Sequence, residues 1–233
     1  MTREEYITNL KSTFAVIEVM STKNNGKVLQ LRHRQTGKDM VLRSYPHPIT
    51  AYETLVKIRC ANLPEIYDAI VVEDGQIVLE EHISGMTVAQ IMDMSRYHKQ
   101  GARRVMTSLC HAMSVLHSRG LVHRDIKPEN VIVSDNGRVV LIDFNASRHA
   151  GDGNRDTVIM GTVGYVSPEQ LGISQTDART DIYAAGVLYN VMLTGQHPSV
   201  SIASGRAGRI VRKCTAVNPN ERYQTAEALC SAL

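Results

Sequence analysis

The sequence contains no apolar run of the roughly 18 residues that a membrane-spanning helix requires. Its first residues, Met-Thr-Arg-Glu-Glu, are polar and acidic, so we expect no signal peptide. Its four cysteines are far apart and form no Cys-x-x-Cys motif, which favours reduced thiols over metal ligands; they are Cys60, Cys110, Cys214 and Cys230. These features predict a cytoplasmic protein without a membrane segment in this chain.

No block of lysine and arginine stands out, although 26 basic residues against 23 acidic residues give a formal charge of +3. A nucleic-acid partner is therefore not expected. The hydrophobic content of 43% and the length of 233 residues are ordinary for a chain with a buried core. That length suits one large domain or two small lobes.

The most informative stretch covers residues 121–143. Two short apolar runs, residues 131–133 and 139–142, are separated by a segment that contains Asn-Gly. Asn-Gly favours a tight hairpin, in which both turn residues must tolerate a positive φ. Such a hairpin places Asn130, before its first strand, and Asp143, after its second strand, at the same end.

Asp125 and Lys127 lie on the loop that precedes this hairpin. The amide of Asn130 and the carboxylate of Asp143 offer two oxygen ligands of the kind that Mg²⁺ binds. A further carboxylate and a lysine ammonium complete the groups that phosphoryl transfer from a nucleoside triphosphate requires. The spacing therefore predicts a phosphoryl-transfer site.

The run His-Arg-Asp-Ile-Lys-Pro-Glu-Asn at residues 123–130 resembles the catalytic loop of eukaryotic-type (Hanks-type) serine/threonine protein kinases. Asp-Phe-Asn at 143–145 and Ser-Pro-Glu at 167–169 stand where the family has Asp-Phe-Gly and Ala-Pro-Glu. The resemblance covers nearly the whole chain, most clearly after residue 70, and the compact size favours a small bacterial member. It implies a bilobal α+β fold. A small antiparallel β lobe with one main helix would span residues 1–82, and a larger, mostly helical lobe residues 83–233.

The resemblance also implies roles for the polar residues. Asp125 would be the catalytic aspartate that accepts the proton of the substrate hydroxyl. Lys127, which marks the serine/threonine branch, would stabilise charge on the transferred phosphoryl group, and Thr162 would contact both residues. Asn130 and Asp143 would hold Mg²⁺ beside ATP.

An adenine pocket is the next implication. The hairpin with its turn at residues 74–75 would lead into a hinge whose backbone groups bind adenine at Glu80 and His82. The predicted lining is apolar: Leu79 at the back, Ile132 as the floor from the other lobe, and Val28 and Val41 as the roof.

The small lobe departs from the family pattern in its glycine-rich loop and its third strand. Only Gly26 and the following Val28 match the loop, because Ser21 and Lys23 occupy the places of the first two glycines. Arg43 replaces the strand lysine; it keeps the charge and can still contact phosphate oxygens.

The helix glutamate that pairs with this lysine in the family also has no obvious equivalent. In the helix predicted over residues 49–59, the register of Leu55 and Ile58 puts Ala51 at the glutamate position. Glu53 lies two residues further on, about 200° around the helix, so we expect it to face away.

Three supporting interactions are further implied. Asp181 should bind the backbone of the catalytic loop, because a buried carboxylate needs partners. Arg222 should form a buried pair with Glu169. Thr157 is the predicted phosphorylation site, and Arg124 would bind the phosphate.

Two main interpretations remain open. The first is an active kinase that transfers the γ-phosphoryl group of Mg-ATP to protein serine or threonine; its oligomeric state is unknown. The intact catalytic set favours it, since a scaffold has no chemical need for these residues. The alternative is a pseudokinase that acts as a nucleotide-binding or scaffolding module, which the altered small lobe favours. A small-molecule kinase is disfavoured by the Thr162 segment and the Pro-Glu pair at 168–169.

Overall fold

The computed structural model describes residues 1–22, 26–95, 97–151, 162–171 and 175–233. Within these ranges the chain forms two compact units. The smaller unit comprises Met1–Cys60 and Pro64–Ile83, and the larger unit comprises Ala61–Leu63 and Ser84–Leu233. The predicted division after residue 82 assigned residues 61–63 and Ile83 to the other unit. None of the helices in the described ranges is long and apolar enough to cross a bilayer.

The smaller unit is built on a five-stranded antiparallel sheet in the order β1-β2-β3-β5-β4. Its strands are β1 (Phe14–Ser21), β2 (Lys27–His33), β3 (Asp39–Tyr45), β4 (Ile66–Val72) and β5 (Gly75–Glu81). Alternate residues of each strand face opposite sides, so the two faces of the sheet have different compositions.

One face of the sheet carries an apolar core. Helix α1 (Arg3–Leu10) covers it and is started by a capping box between Thr2 and Glu5. The residues packed together there come from α1 and all five strands, and include Tyr6, Ile7, Leu10, Phe14, Leu29, Leu31, Leu42, Val72 and Ile77. This apolar cluster stabilises the sheet, and it contains none of the polar residues of the predicted site.

Helix α2 spans only Ala51–Leu55, so the predicted helix over residues 49–59 is too long. The next amides, of Lys57 and Ile58, donate to carbonyls three residues back, at 3.1 and 3.0 Å. Such i→i+3 hydrogen bonds tighten the chain into turns and end the helix. Ala51, Tyr52 and Leu55 are buried.

The larger unit is mostly helical, which with the sheet of the smaller unit makes the chain an α+β protein. Its helices are α3 (Val88–Met94), α4 (Lys99–His117), α5 (Ala178–Thr194), α6 (Gly205–Cys214) and α7 (Ala226–Ala232). Its short strands are β6 (Gly85–Thr87), β7 (Leu121–Val122), β8 (Val131–Ser134), β9 (Val139–Leu141) and β10 (Arg148–His149). They pair as β6-β8-β9 and β10-β7.

Helix α5 is the most buried helix of this unit, because it is apolar on nearly every side. It packs closely against α6 at Gly186. A Cβ atom at that position would lie 2.2 Å from the Cβ of Cys214, which is closer than two carbon atoms can approach. Glycine is therefore required where the two helices meet.

We predict that Gly186→Ala destabilises the protein by about 1–3 kcal/mol, because α5 and α6 must separate to admit the methyl group. Gly101→Ala in α4 is the matched control. Its Cβ would meet only side-chain atoms of Tyr97 and His98, at 3.3 Å or more, and alanine has the higher helix propensity. Urea denaturation measures both variants. Equal stability of Gly186→Ala and the wild type would contradict this account of the packing.

Candidate active site

The hairpin of β8 and β9 brings the two ends of the most informative stretch together. Val131 pairs with Leu141, and the amide of Ile142 donates to the carbonyl of Asn130 at 2.9 Å. Asn130 therefore lies beside the residue that precedes Asp143, as predicted.

The turn of this hairpin differs from the expectation that both of its residues adopt positive φ. Only Gly137 does so, at 80°, and its amide donates to the carbonyl of Ser134 at 2.7 Å. A type I turn closed by one glycine in the left-handed region is the other common way to build a short hairpin.

Asp125, Lys127 and Thr162 form a closed triangle of polar contacts. The Lys127 Nζ donates to Thr162 Oγ1 at 2.7 Å, and Thr162 Oγ1 donates to Asp125 Oδ1 at 2.8 Å. The third side joins Lys127 Nζ to Asp125 Oδ2 at 2.7 Å. The predicted contacts of Thr162 are confirmed, and they hold the carboxylate and the ammonium group in one orientation.

Asn130 is buried and binds the same aspartate. Its Nδ2 donates to the backbone carbonyl of Asp125 at 2.8 Å and to Asp125 Oδ2 at 2.9 Å. Because both amide protons are used in this way, the amide oxygen is the atom that can bind a cation.

The oxygen of Asn130 and the carboxylate of Asp143 fit Mg²⁺, which prefers oxygen ligands. Within the described ranges no group of three or more His, Cys, Asp or Glu side chains could hold a metal. Magnesium is usually bound by one or two protein carboxylates, with substrate phosphates and water completing its shell. Metal binding by these two residues stays a prediction.

Asp181, at the start of α5, holds the backbone of the loop that carries Asp125. Its carboxylate accepts the amides of His123 and Arg124 at 2.9 and 2.8 Å and contacts His117 Nε2 at 2.8 Å. Burial alone would raise the pKa of Asp181, but these hydrogen bonds hold it below its ordinary value, so the residue stays charged. The predicted role of Asp181 as a backbone partner is confirmed.

The predicted pair of Glu169 and Arg222 is also confirmed. Arg222 Nη1 and Nη2 donate to Glu169 Oε1 and Oε2 at 2.6 and 2.8 Å, and both side chains are buried. Burial would raise the pKa of Glu169, but the guanidinium and the hydroxyl of Thr180 keep it below its ordinary value.

Gln170 is a supporting residue that the sequence reasoning missed. Its Nε2 donates to the carbonyl of Arg124 at 2.9 Å, and its Oε1 accepts the amide and hydroxyl of Ser167 at 3.1 and 3.2 Å. The side chain is buried. Its position directly after the Pro-Glu pair is the only sequence signal, and glutamine there does not indicate a partner.

In the smaller unit, Arg43 pairs with Glu80 of the neighbouring strand. Arg43 Nε lies 2.6 Å from Glu80 Oε1, and the two residues are 9% and 2% exposed. Ala51 is buried and Glu53 exposed, so the expectation that Glu53 faces away is confirmed. Sequence reasoning looked for the partner on the helix and missed the one on β5. Strand alternation across a paired β3 and β5 is the signal that would have found it.

Leu79 lies on the opposite face of the sheet from Val41. It pairs directly with Leu42 and packs against the apolar core under α1, whereas Val41 pairs with Glu80. The prediction that Leu79 shares a pocket with Val28 and Val41 is therefore wrong. Cross-strand partners share a face, and Val28 pairs with Arg43, so both valines lie on the face that carries Arg43.

The remaining predicted pocket residues are distributed as follows. Gly26 directly precedes β2, and His82 follows β5 and is half-buried. Ile132 lies in β8 of the larger unit, between Thr87 and Val140. Adenine binding by these residues stays a prediction. Lys23 and Thr157 lie outside the described residues.

A lysine and a carboxylate that are both held by a threonine, beside the amide of Asn130, are groups that a phosphoryl-transfer site uses. A family model described as the protein kinase domain matches residues 15–229, so the chain belongs to the protein kinase domain family.

Several bacterial proteins are similar to this chain. Serine/threonine-protein kinase PknB of Mycolicibacterium smegmatis is 28% identical over 229 residues, which cover 84% of this chain and 34% of that protein. Serine/threonine-protein kinase D of Synechocystis is 29% identical over 197 residues, or 74% of this chain and 38% of that protein. A probable PknB of Lactococcus lactis is 34% identical over 140 residues, or 59% and 22%. The chain thus spans about a third of the length of the first two relatives.

We predict that Arg222→Leu costs about 3–5 kcal/mol of stability, because it leaves the Glu169 carboxylate buried without its cation. The double variant Arg222→Leu/Glu169→Gln removes that charge and should be more stable than the single variant. The pair lowers the pKa of Glu169 in the folded protein. Its contribution to the free energy of unfolding is therefore complete above the ordinary pKa of a glutamate, and it is lost as the pH falls through the lowered pKa.

Urea denaturation at neutral and acidic pH measures these effects, and the deficit of Arg222→Leu should shrink in acid. If the double variant loses as much stability as Arg222→Leu and Glu169→Gln lose together, the two residues are not coupled.

Proposed function

We propose that this chain is a serine/threonine protein kinase that transfers the γ-phosphoryl group of Mg-ATP to protein hydroxyls. The observation that carries the proposal is the triangle of Asp125, Lys127 and Thr162, with contacts of 2.7 to 2.8 Å. The names of the similar bacterial proteins support it.

In this mechanism Asp125 orients the substrate hydroxyl and accepts its proton as the oxygen attacks phosphorus. Lys127 offsets negative charge that spreads over the phosphoryl oxygens, and it is kept in place by Thr162. When bound, Mg²⁺ would neutralise the phosphates and align them, and Asn130 and Asp143 would hold it. The hydrogen bond from Asn130 Nδ2 to Asp125 Oδ2 helps to hold that carboxylate in one orientation.

The pseudokinase interpretation gains no support from the altered third strand. That interpretation rested on the altered lysine–glutamate pair and the altered glycine-rich loop, and for the first of these Glu80 supplies Arg43 with a carboxylate at 2.6 Å. The cation of the third strand is therefore paired, although its partner lies on a strand and not on a helix. We therefore propose ATP and Mg²⁺ as cofactors and proteins with accessible serine or threonine as substrates.

Asp125→Asn should reduce phosphate transfer to a generic basic protein by about 10²–10⁴-fold, because the amide cannot accept the proton. Binding of Mg-ATP, followed as a rise in melting temperature, should remain. The control is Asp135→Asn in the exposed hairpin turn, which has the same charge change and should transfer phosphate like the wild type. Transfer that is absent from the wild type, or equal in Asp125→Asn, would exclude the proposed activity.

Thr162→Val should lower kcat by about 10–100-fold, the effect of losing one hydrogen bond to a charged group at roughly 1.5–3 kcal/mol, because Asp125 and Lys127 still hold each other through their direct contact. Thr162→Ser keeps the hydroxyl and should retain most of the activity. Steady-state kinetics with varied ATP distinguish this effect from weaker nucleotide binding. If Thr162→Ser is as impaired as Thr162→Val, the methyl group and not the hydroxyl matters.

A further inference from the structure

The face of the small sheet that carries Val28 and Val41 also carries two buried charges. Arg43 follows Val41 by two residues on β3, and Glu80 is the direct cross-strand partner of Val41 on β5. Arg43 and Glu80 are thus diagonal neighbours, which allows long side chains to meet. Arg43 Nε lies 2.6 Å from Glu80 Oε1, and the two residues are 9% and 2% exposed. Charged side chains that are buried to this extent are normally paired.

Helix α2 offers no carboxylate to Arg43. All five of its residues are described, and its one acidic side chain, Glu53, is exposed. The buried polar group that α2 contributes is the hydroxyl of Tyr52, which lies 2.8 Å from the hydroxyl of Tyr45. Burial holds the pKa of Tyr52 well above its ordinary value, so this side chain stays a neutral phenol and cannot serve as an anionic partner.

We propose that Glu80 is the positioning residue for Arg43, and that this sheet-borne pair fixes the guanidinium for nucleotide phosphate independently of helix α2. The inference rests on the proposed function, since it assumes that Arg43 contacts ATP.

The geometry gives a physical reason for such an arrangement. Guanidinium carries five N–H donors in a rigid fork, more than one carboxylate can accept, so one Arg43 side chain can bind both Glu80 and a phosphate. The β3 and β5 strands are joined by a regular antiparallel ladder from Met40–Glu81 to Tyr45–Gln76. The separation of the backbone positions of Arg43 and Glu80 is therefore set by hydrogen bonds within one sheet. A partner on a helix could move with that helix, whereas the backbone of Glu80 keeps its place relative to Arg43 as long as β3 and β5 stay paired.

The test compares Glu80→Gln with Glu53→Gln, the same chemical change on α2. Neither substitution alters the backbone groups of the hinge. Glu80→Gln should raise the KM for ATP by about tenfold, the effect of one charge-assisted hydrogen bond, and weaken binding of Mg-ATP by a similar factor. Glu53→Gln should leave both values unchanged. In an Arg43→Met background, Glu80→Gln should add no further loss, because Glu80 acts through Arg43.

Melting temperatures without nucleotide, measured in parallel, separate positioning from simple stabilisation. A lower melting temperature with an unchanged KM would show that the pair is structural only and would overturn the inference. So would a loss of ATP affinity in Glu53→Gln that equals the loss in Glu80→Gln. If Glu80→Gln does not fold, Glu80→Asp replaces it: the charge remains but is withdrawn by one methylene, and an unchanged KM would again reject the proposal.

The wild-type measurements separate this inference from the proposed function. If the wild type neither binds Mg-ATP nor transfers phosphate, both fail. If it does both and Glu80→Gln matches it, only the role of Glu80 fails.

Discussion

The larger unit depends on one buried carboxylate. Asp181 is fully buried near the start of an apolar helix, where a charge is tolerated only if hydrogen bonds replace its water. It obtains them from two consecutive amides, those of His123 and Arg124. Arg124 adopts a φ of 68°, a left-handed conformation that costs a residue with a side chain roughly 1–3 kcal/mol. Gln170 binds the carbonyl of the same residue. The amide and the carbonyl of Arg124 are therefore both hydrogen-bonded. These bonds fix the backbone that leads into the next residue, Asp125.

Each of the two units solves the same problem of buried charge by itself. In the larger unit Glu169 and Arg222 pair through two parallel hydrogen bonds, and in the smaller unit Arg43 pairs with Glu80 across neighbouring strands. Buried pairs of this kind add little stability compared with apolar residues of the same volume, but removing one member is costly. The chief effect of these two buried pairs is therefore to fix the orientation of the paired side chains. In the smaller unit this rigidity comes from the sheet, because α2 is a single short turn of helix with an exposed glutamate.

Sequence reasoning was successful where a pattern is local. The Asn-Gly hairpin placed Asn130 beside Ile142, and the resemblance anticipated the contacts of Thr162 and the pair of Glu169 and Arg222. It failed for Leu79, because side chains alternate along a strand and a shift of one residue moves every side chain to the other face. It also missed Gln170 and the carboxylate of Glu80. Neither residue forms a motif, and each acquires its role from a partner at least 37 residues away in sequence.

The sequence by itself determined the family of the chain and which polar residues its loop carries, since Asp125, Lys127 and Asn130 lie within six consecutive residues. It also determined that the small unit has lost the usual lysine and helix glutamate. Only the tertiary structure decided which carboxylate pairs with Arg43. Strand register puts Glu80 beside Arg43 and turns Leu79 towards α1, and register depends on hydrogen bonds between strands that are distant in the chain. Spacing along one strand can predict alternation, but the face that each residue occupies is set by its neighbours in the sheet.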